Sequence, residues 1–205
     1  MICILSQVFY NSFMPKEIEA KFKVTSFTKT KKLLARAGAI LVSHSTQTDH
    51  YFDNKNQDML KAGVAVRLRI TTPAKLNVPP LLTYKGPAGR TGKAKTRTEI
   101  QTAIDNEKAI VQVLAAAELK ASFVIQKKRD SYKLGRCEIE LDELPLAGKF
   151  VEIEAPSTAE ISKLQKLLEL PGPAITDHYV KIVSQACKAA GKQCNEITFD
   201  KCGKC

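Results

Sequence analysis

Glu-Ile-Glu occurs three times in this chain, at Glu17-Ile18-Glu19, Glu138-Ile139-Glu140 and Glu152-Ile153-Glu154. A β-strand sends alternate side chains to opposite faces, so in each triplet both carboxylates share one face and the isoleucine takes the other. Neighbouring residues extend the pattern. Lys21 and Lys23 fall on the Glu17/Glu19 face, Asp142 continues the Glu138/Glu140 face, and Arg67 pairs with Arg69, Lys127 with Arg129, and Arg97 with Glu99. The opposite face carries Ile18, Phe22, Val24, Val66, Leu68, Ile70, Ile139, Leu141, Val151 and Ile153. An ordinary solvated strand face mixes Thr, Ser, Gln and Lys. Here the charged residues are long, repeated and segregated by sign from strand to strand, which predicts one shared ionic space. Carboxylates crowded there are costly unless cations neutralise them.

The alternating runs predict eight strands, at about 16–24, 48–53, 64–71, 80–85, 95–102, 122–133, 136–142 and 149–155. Leu134-Gly135 reads as a tight hairpin between two of them, and the short separations imply antiparallel neighbours. Helical periodicity predicts helices at about 28–38, 105–119, 158–169 and 176–189, with Asp105 capping the second and Ser157 or Thr158 the third. The helices carry apolar stripes that need an oily surface to cover. The charged faces must then point inward. The expected fold is α+β: a closed eight-stranded antiparallel β-barrel, a tunnel with a polar charged interior and amphipathic helices packed outside.

At 205 residues the chain fits one domain. Three segments are expected: a dispensable extension at 1–13, the tunnel domain at 14–189, and a flexible tail at 190–205 holding Cys194, Cys202 and Cys205. The thiols suggest no zinc pattern and no obvious disulfide pair, which points to a reducing, cytoplasmic setting. No apolar run reaches membrane-spanning length. A formal charge of +11 favours an anionic partner. The absence of Trp and the sparse aromatics disfavour nucleic acid stacked on a protein platform. Acids for a cation beside bases for phosphate describe a polyphosphate site.

Other tempting features carry less. Gly86, Gly89 and Gly92 with Arg90, Lys93 and Lys95 lack the Gly-Lys-Ser/Thr end of a phosphate-binding loop and read as a basic hairpin. His44, His50 and His178 are too scattered for a histidine metal site, and Tyr84 and Tyr132 read as barrel-wall packing.

The order of the charged motifs resembles the CYTH superfamily, the triphosphate tunnel metalloenzymes. Glu17-x-Glu19-x-Lys21 opens the series. Asp49-x-Tyr51-Phe52-Asp53, Val66-Arg67-Leu68-Arg69, Thr83-Tyr84-Lys85-Gly86-Pro87, Arg97-x-Glu99, Lys127-x-Arg129-x-x-Tyr132, Glu140-x-Asp142 and Glu152-Ile153-Glu154 follow. Lys85-Gly86-Pro87, Lys127-x-Arg129 and Asp177-His178-Tyr179 look most like the class IV adenylyl cyclase branch, with thiamine triphosphatases as relatives. The resemblance implies Mg²⁺ or Mn²⁺ held by Glu17, Glu19, Glu152 and Asp142. It implies a triphosphate held by Lys21, Arg67, Arg69, Lys85, Arg97, Lys127 and Arg129, with Glu140, Glu154 and Lys21 in catalysis. The expected activity is a class IV adenylyl cyclase, converting ATP to cyclic AMP and pyrophosphate. Arg67 beside Arg69 keeps open a triphosphatase acting on thiamine triphosphate, a nucleoside triphosphate or tripolyphosphate. A non-catalytic binder of polyphosphate or RNA is the third reading, and a homodimer is an open option.

Overall fold

The computed structural model describes residues 16–73, 77–87, 89–91, 94–192 and 194–201, and for 16, 17, 90, 91 and 94–96 the backbone alone. The expected extension at 1–13 and the thiols of Cys202 and Cys205 lie outside the described residues.

The strands are β1 (Lys16–Val24), β2 (Ile40–Asp53), β3 (Ala65–Thr72), β4 (Leu81–Lys85), β5 (Gly89–Thr91), β6 (Ala94–Ala103), β7 (Lys120–Leu134), β8 (Cys137–Leu144), β9 (Gly148–Glu154) and β10 (Glu196–Ile197). The helices are α1 (Thr28–Arg36), α2 (Asp58–Lys61), α3 (Glu107–Ala116), α4 (Thr158–Leu167) and α5 (Tyr179–Ala189). Eight strands build one curled antiparallel sheet in the order β1-β9-β8-β7-β2-β3-β4-β6. β1 also pairs with β6, with Lys16–Glu19 opposite Lys95–Thr98, so the first and last strands of that order meet. β5 folds back on β6, and β10 lies parallel to β7.

The tight hairpin is present: Leu134 pairs with Cys137 across Gly135-Arg136, and Gly135 takes φ +60°, where glycine avoids the Cβ penalty. β2 starts eight residues earlier than the alternation implied. Residues 40–47 carry little charge, and they join the sheet by pairing with the far end of β7. The cap of α3 is Asn106, whose side chain accepts from the Ala109 amide at 3.0 Å, one residue beyond the expected Asp105. Ser157 caps α4 by accepting from the Glu160 amide at 3.2 Å.

Register explains the packing. Phe22, Val151, Ile153, Ile139 and Leu141 form one continuous oily face across β1, β9 and β8. Leu34 of α1 and Ile161 and Leu164 of α4 seal it, and Phe22, Leu34, Ile139, Val151 and Ile153 are fully buried. Each such side chain contributes roughly 1.5–3 kcal/mol relative to exposure. α3 covers a smaller patch with Leu114 against Phe52, Val66 and Leu68.

α5 departs from the expectation that the helices pack outside. It packs Tyr179, Val183 and Cys187 against Ile125, Leu144 and Phe150. Those three strand residues share the parity of Lys127, Asp142 and Glu152, so they belong to the charged face. At this end the face turns from ionic to apolar, which gives a helix an oily seat there.

Residues 194–201 pack against β7. The Val124 amide donates to the Asn195 carbonyl at 2.7 Å, the Phe199 amide to Gln126 Oε1 at 3.1 Å, and Ile197 is 1% exposed. β7 runs past the end of β8, and β10 takes the edge left there. No described helix is long and apolar enough to cross a membrane.

Candidate active site

Opposite the main core, the charged faces of the strands line one cavity of about 1280 Å³. β1 supplies Glu19 and Lys21, β3 Arg67 and Arg69, β4 Lys85, β6 Arg97 and Glu99, β7 Lys127 and Arg129, β8 Glu138 and Glu140, and β9 Glu152 and Glu154. The parity read from sequence thus brings nearly all of the expected residues to one place. The side chain of Glu17 lies outside the described residues; its backbone stands opposite Arg97.

The acids are graded by depth. Lateral pairing sets Glu138 beside Glu154, Glu140 beside Glu152 and Asp142 beside Phe150. Glu138 and Glu154 are exposed, Glu140 and Glu152 half-buried, and Asp142 fully buried. Asp142 is also the most heavily engaged. Arg129 donates to it through Nε at 2.6 Å and Nη2 at 2.5 Å, Tyr179 through its hydroxyl at 2.7 Å, and Lys127 through Nζ at 3.3 Å. Its oxygens are therefore committed to the bases and the tyrosine. Burial opposes its ionisation, but Arg129 and Lys127 outweigh burial and hold its pKa below the usual range.

The remaining bases are held in the same manner. Arg69 forks onto Asp49 at 2.6 and 2.8 Å, and Arg67 lies 3.8 Å from the same carboxylate. Arg67 Nη2 donates to Thr83 Oγ1 at 3.2 Å, and Thr83 donates to Gln101 Oε1 at 3.1 Å. Lys85 pairs with Glu99 at 2.6 Å, and Arg97 lies 3.6 Å from Glu19. Arg67 Nε is buried with no protein partner, an unmet donor beside the cavity. Asp49, Thr83, Glu99, Gln101 and Tyr179 had no role assigned from sequence. Parity alone would have found Asp49 and Glu99; Tyr179 comes from a helix and carries no such signal.

Electrostatics divide the lysines. Burial works against the Lys21 ammonium, but Glu152, Glu19 and Asp142 outweigh it and its pKa lies above the ordinary lysine value. Lys127 is buried beside Arg129 and Arg69, and its pKa is pushed down to about 7 despite Asp142. Lys21 is thus a fixed charge, whereas Lys127 can exchange a proton near neutrality. Glu140 is raised, mainly by burial, although Arg129 Nε lies 2.7 Å away and Ser131 donates to it at 3.1 Å. Glu152 is held well below the normal range: Lys21 at 3.6 Å and Arg129 at 3.4 Å outweigh its burial.

The oxygen donors suit a hard divalent cation. Glu19 comes within hydrogen-bonding reach of Glu152, and Glu140 stands beside Glu152. Among the described residues no group of three acids, histidines or cysteines is assembled tightly enough to cage a metal alone. A pair of carboxylates completed by substrate phosphates matches how Mg²⁺ is commonly held.

A curled antiparallel sheet whose strands bring acids and bases together in one cavity defines a class, and comparison with known proteins identifies it. Residues 15–171 match the CYTH domain, and the chain belongs to that family. It is 29% identical over 154 residues to a Methanocaldococcus jannaschii protein whose name carries adenylate cyclase as a provisional assignment, covering 75% of this chain and 83% of that one. A solved Pyrococcus horikoshii protein is 26% identical with TM-score 0.68, covering 82% of this chain and 98% of that one. A Hippeastrum protein, described as a provisional adenylyl cyclase with a dominant triphosphatase activity, shares the fold at 17% identity and TM-score 0.64, covering 87% of this chain and 97% of that one.

Proposed function

We propose that this protein is a divalent-metal-dependent enzyme that binds a nucleoside triphosphate in its charged cavity and acts as a class IV-type adenylyl cyclase. The observation that carries the reading is the convergence of Arg67, Arg69, Lys85, Arg97, Lys127 and Arg129 with Glu19, Glu140, Glu152 and Glu154 on one cavity. The ladder between β1 and β6 supports a closed tunnel as its frame. Tyr51 and Phe123 line the same cavity and give an organic group an apolar seat, which favours ATP over bare tripolyphosphate.

Mg²⁺ or Mn²⁺ would be held by Glu19 and Glu152 with Glu17 alongside, supplying charge neutralisation at the phosphates and a lowered pKa at the attacking hydroxyl. Asp142 moves from that group to a different task, orienting Arg129 and Lys127. Lys21, Arg69 and Arg129 clamp phosphate oxygens as fixed charges, and the open donor of Arg67 adds another. In cyclisation the ribose 3′-oxygen bonds to the α-phosphorus, the bond to the bridging oxygen breaks, and pyrophosphate leaves. Ionised Glu140 takes the hydroxyl proton.

Hydrolysis is the second reading. Glu140, with its raised pKa beside the cavity, suits a base that orients water. The dominant triphosphatase activity ascribed to the Hippeastrum protein points the same way. Product analysis after incubation with ATP, thiamine triphosphate and tripolyphosphate under Mg²⁺ and Mn²⁺ separates the two. Cyclic AMP with pyrophosphate supports the cyclase, and ADP with phosphate the hydrolase. All three compounds intact, with or without chelator, would sink both and leave a binding protein.

A further inference from the structure

We infer that Tyr179, at the start of α5, is a positioning residue for phosphate binding. Its ring carries the ammonium groups of Lys21 and Lys127 while its hydroxyl holds Asp142, so this one side chain sets how strongly the cavity grips an anion. The inference rests on the cavity being a phosphate site.

Lys21 Nζ lies 4.3 Å and Lys127 Nζ 5.0 Å from the Tyr179 ring centroid. Phe150 meets the ring edge-on at 5.7 Å and 73°. The hydroxyl donates to Asp142 Oδ2 at 2.7 Å. One buried side chain from α5 therefore touches charged groups on β1, β7 and β8. Among the described sheet residues Arg129 reaches comparably far, to Asp142 and Glu140 on β8 and Glu152 on β9.

Aromatic support is chemically distinct from salt bridging. A carboxylate that stabilises a buried ammonium also neutralises it. A π-face offsets part of the desolvation while leaving the full positive charge available to an incoming phosphate. The hydroxyl acts in the same direction. It takes part of the acceptor capacity of Asp142, which otherwise falls entirely to Arg129 and Lys127. Without it the carboxylate draws those bases toward itself and away from the cavity. α5 is held in place by Val183 and Cys187, which belong to the apolar cluster.

The test is calorimetric binding of tripolyphosphate with Mg²⁺ to the full chain, alongside thermal melting. Tyr179→Leu removes ring and hydroxyl and should weaken binding about tenfold. Tyr179→Phe keeps the ring and should weaken it only about threefold. Val183→Ala should lower the melting temperature without moving the Kd. Wild-type affinity in a folded Tyr179→Phe and in Tyr179→Leu would overturn the inference. So would a Val183→Ala loss of affinity equal to that of Tyr179→Leu, since α5 would then matter only as structure. If Tyr179→Leu does not fold, Tyr179→Phe decides alone. Absence of binding by the wild type overturns the phosphate reading itself, a result separate from unmoved variants of a binding wild type.

Discussion

β1, β8 and β9 present two faces that differ in kind. On one, Phe22, Ile139, Val151 and Ile153 are sealed beneath α1 and α4. On the other, Lys21, Glu140 and Glu152 line the cavity. Residues adjacent in sequence thus serve opposite ends. The oily face gains roughly 25 cal/mol for each Å² removed from water. The ionic face must offset desolvation by pairing, and a buried ion pair roughly breaks even against apolar residues of its own size. Net stability therefore resides on the first face, while the second keeps its charges for a ligand. Substitutions one residue apart should separate activity from stability.

The largest effect is expected on the ionic face. Glu152→Gln removes a charge paired with both Lys21 and Arg129. We expect kcat/KM for the triphosphate substrate to fall about a thousandfold, on the order of 4 kcal/mol of transition-state stabilisation. Initial rates of product release under Mg²⁺ measure it. A loss under tenfold would remove Glu152 from the chemistry.

Its neighbour should behave in the opposite way. Ile153→Ala empties a fully buried site and should cost about 3 kcal/mol, read from the urea midpoint. kcat/KM per folded molecule should stay at the wild-type value. A coupled fall in both would mean that the faces are not separable. Ile197→Ala makes a weaker version of the same cut. Ile197 is buried, but on a two-residue strand, and a cost of about 2 kcal/mol is expected. A change below about 0.5 kcal/mol would mean that 194–201 adds little to the fold, in keeping with a flexible tail.

Both faces were legible in sequence because period-two alternation survives without any tertiary information. It set Lys21, Arg67, Arg69, Lys127 and Arg129 on faces that the fold joins. It gave no account of depth. Nothing in Glu138, Glu140 and Asp142 as letters says that the first is exposed and the last sealed; that gradient arises where α5 closes the end of the charged face. Tyr179 was hidden for the same reason, since a helical residue shows its role only after docking. The first half of β2 was missed because Ile40 to Gln47 lack the charges that marked the other strands. β10 was missed because a two-residue strand has no period.

The smallest expected effect is a proton, and it sharpens the contrast within the ionic face between Lys21 and Lys127. Lys127 has a folded pKa of about 7, lowered by burial and by Arg129, below the ordinary lysine value of 10.5. Between those values the unfolded chain holds the extra proton, so Lys127 favours folding increasingly as pH rises through that window and opposes it below. An anion arriving in the cavity favours the charged form and raises the pKa again. Binding of tripolyphosphate at pH 8 should therefore take up between roughly half and one proton at Lys127. Calorimetry in two buffers of different ionisation enthalpy measures that number, and subtracting the same experiment on Lys127→Met removes the protons exchanged by the ligand itself. Lys21, whose pKa lies above the ordinary lysine value, stays charged at that pH and adds none. An unchanged proton count in Lys127→Met would mean that Lys127 keeps one protonation state when the ligand binds, and the coupling between its charge and the anion would be refuted.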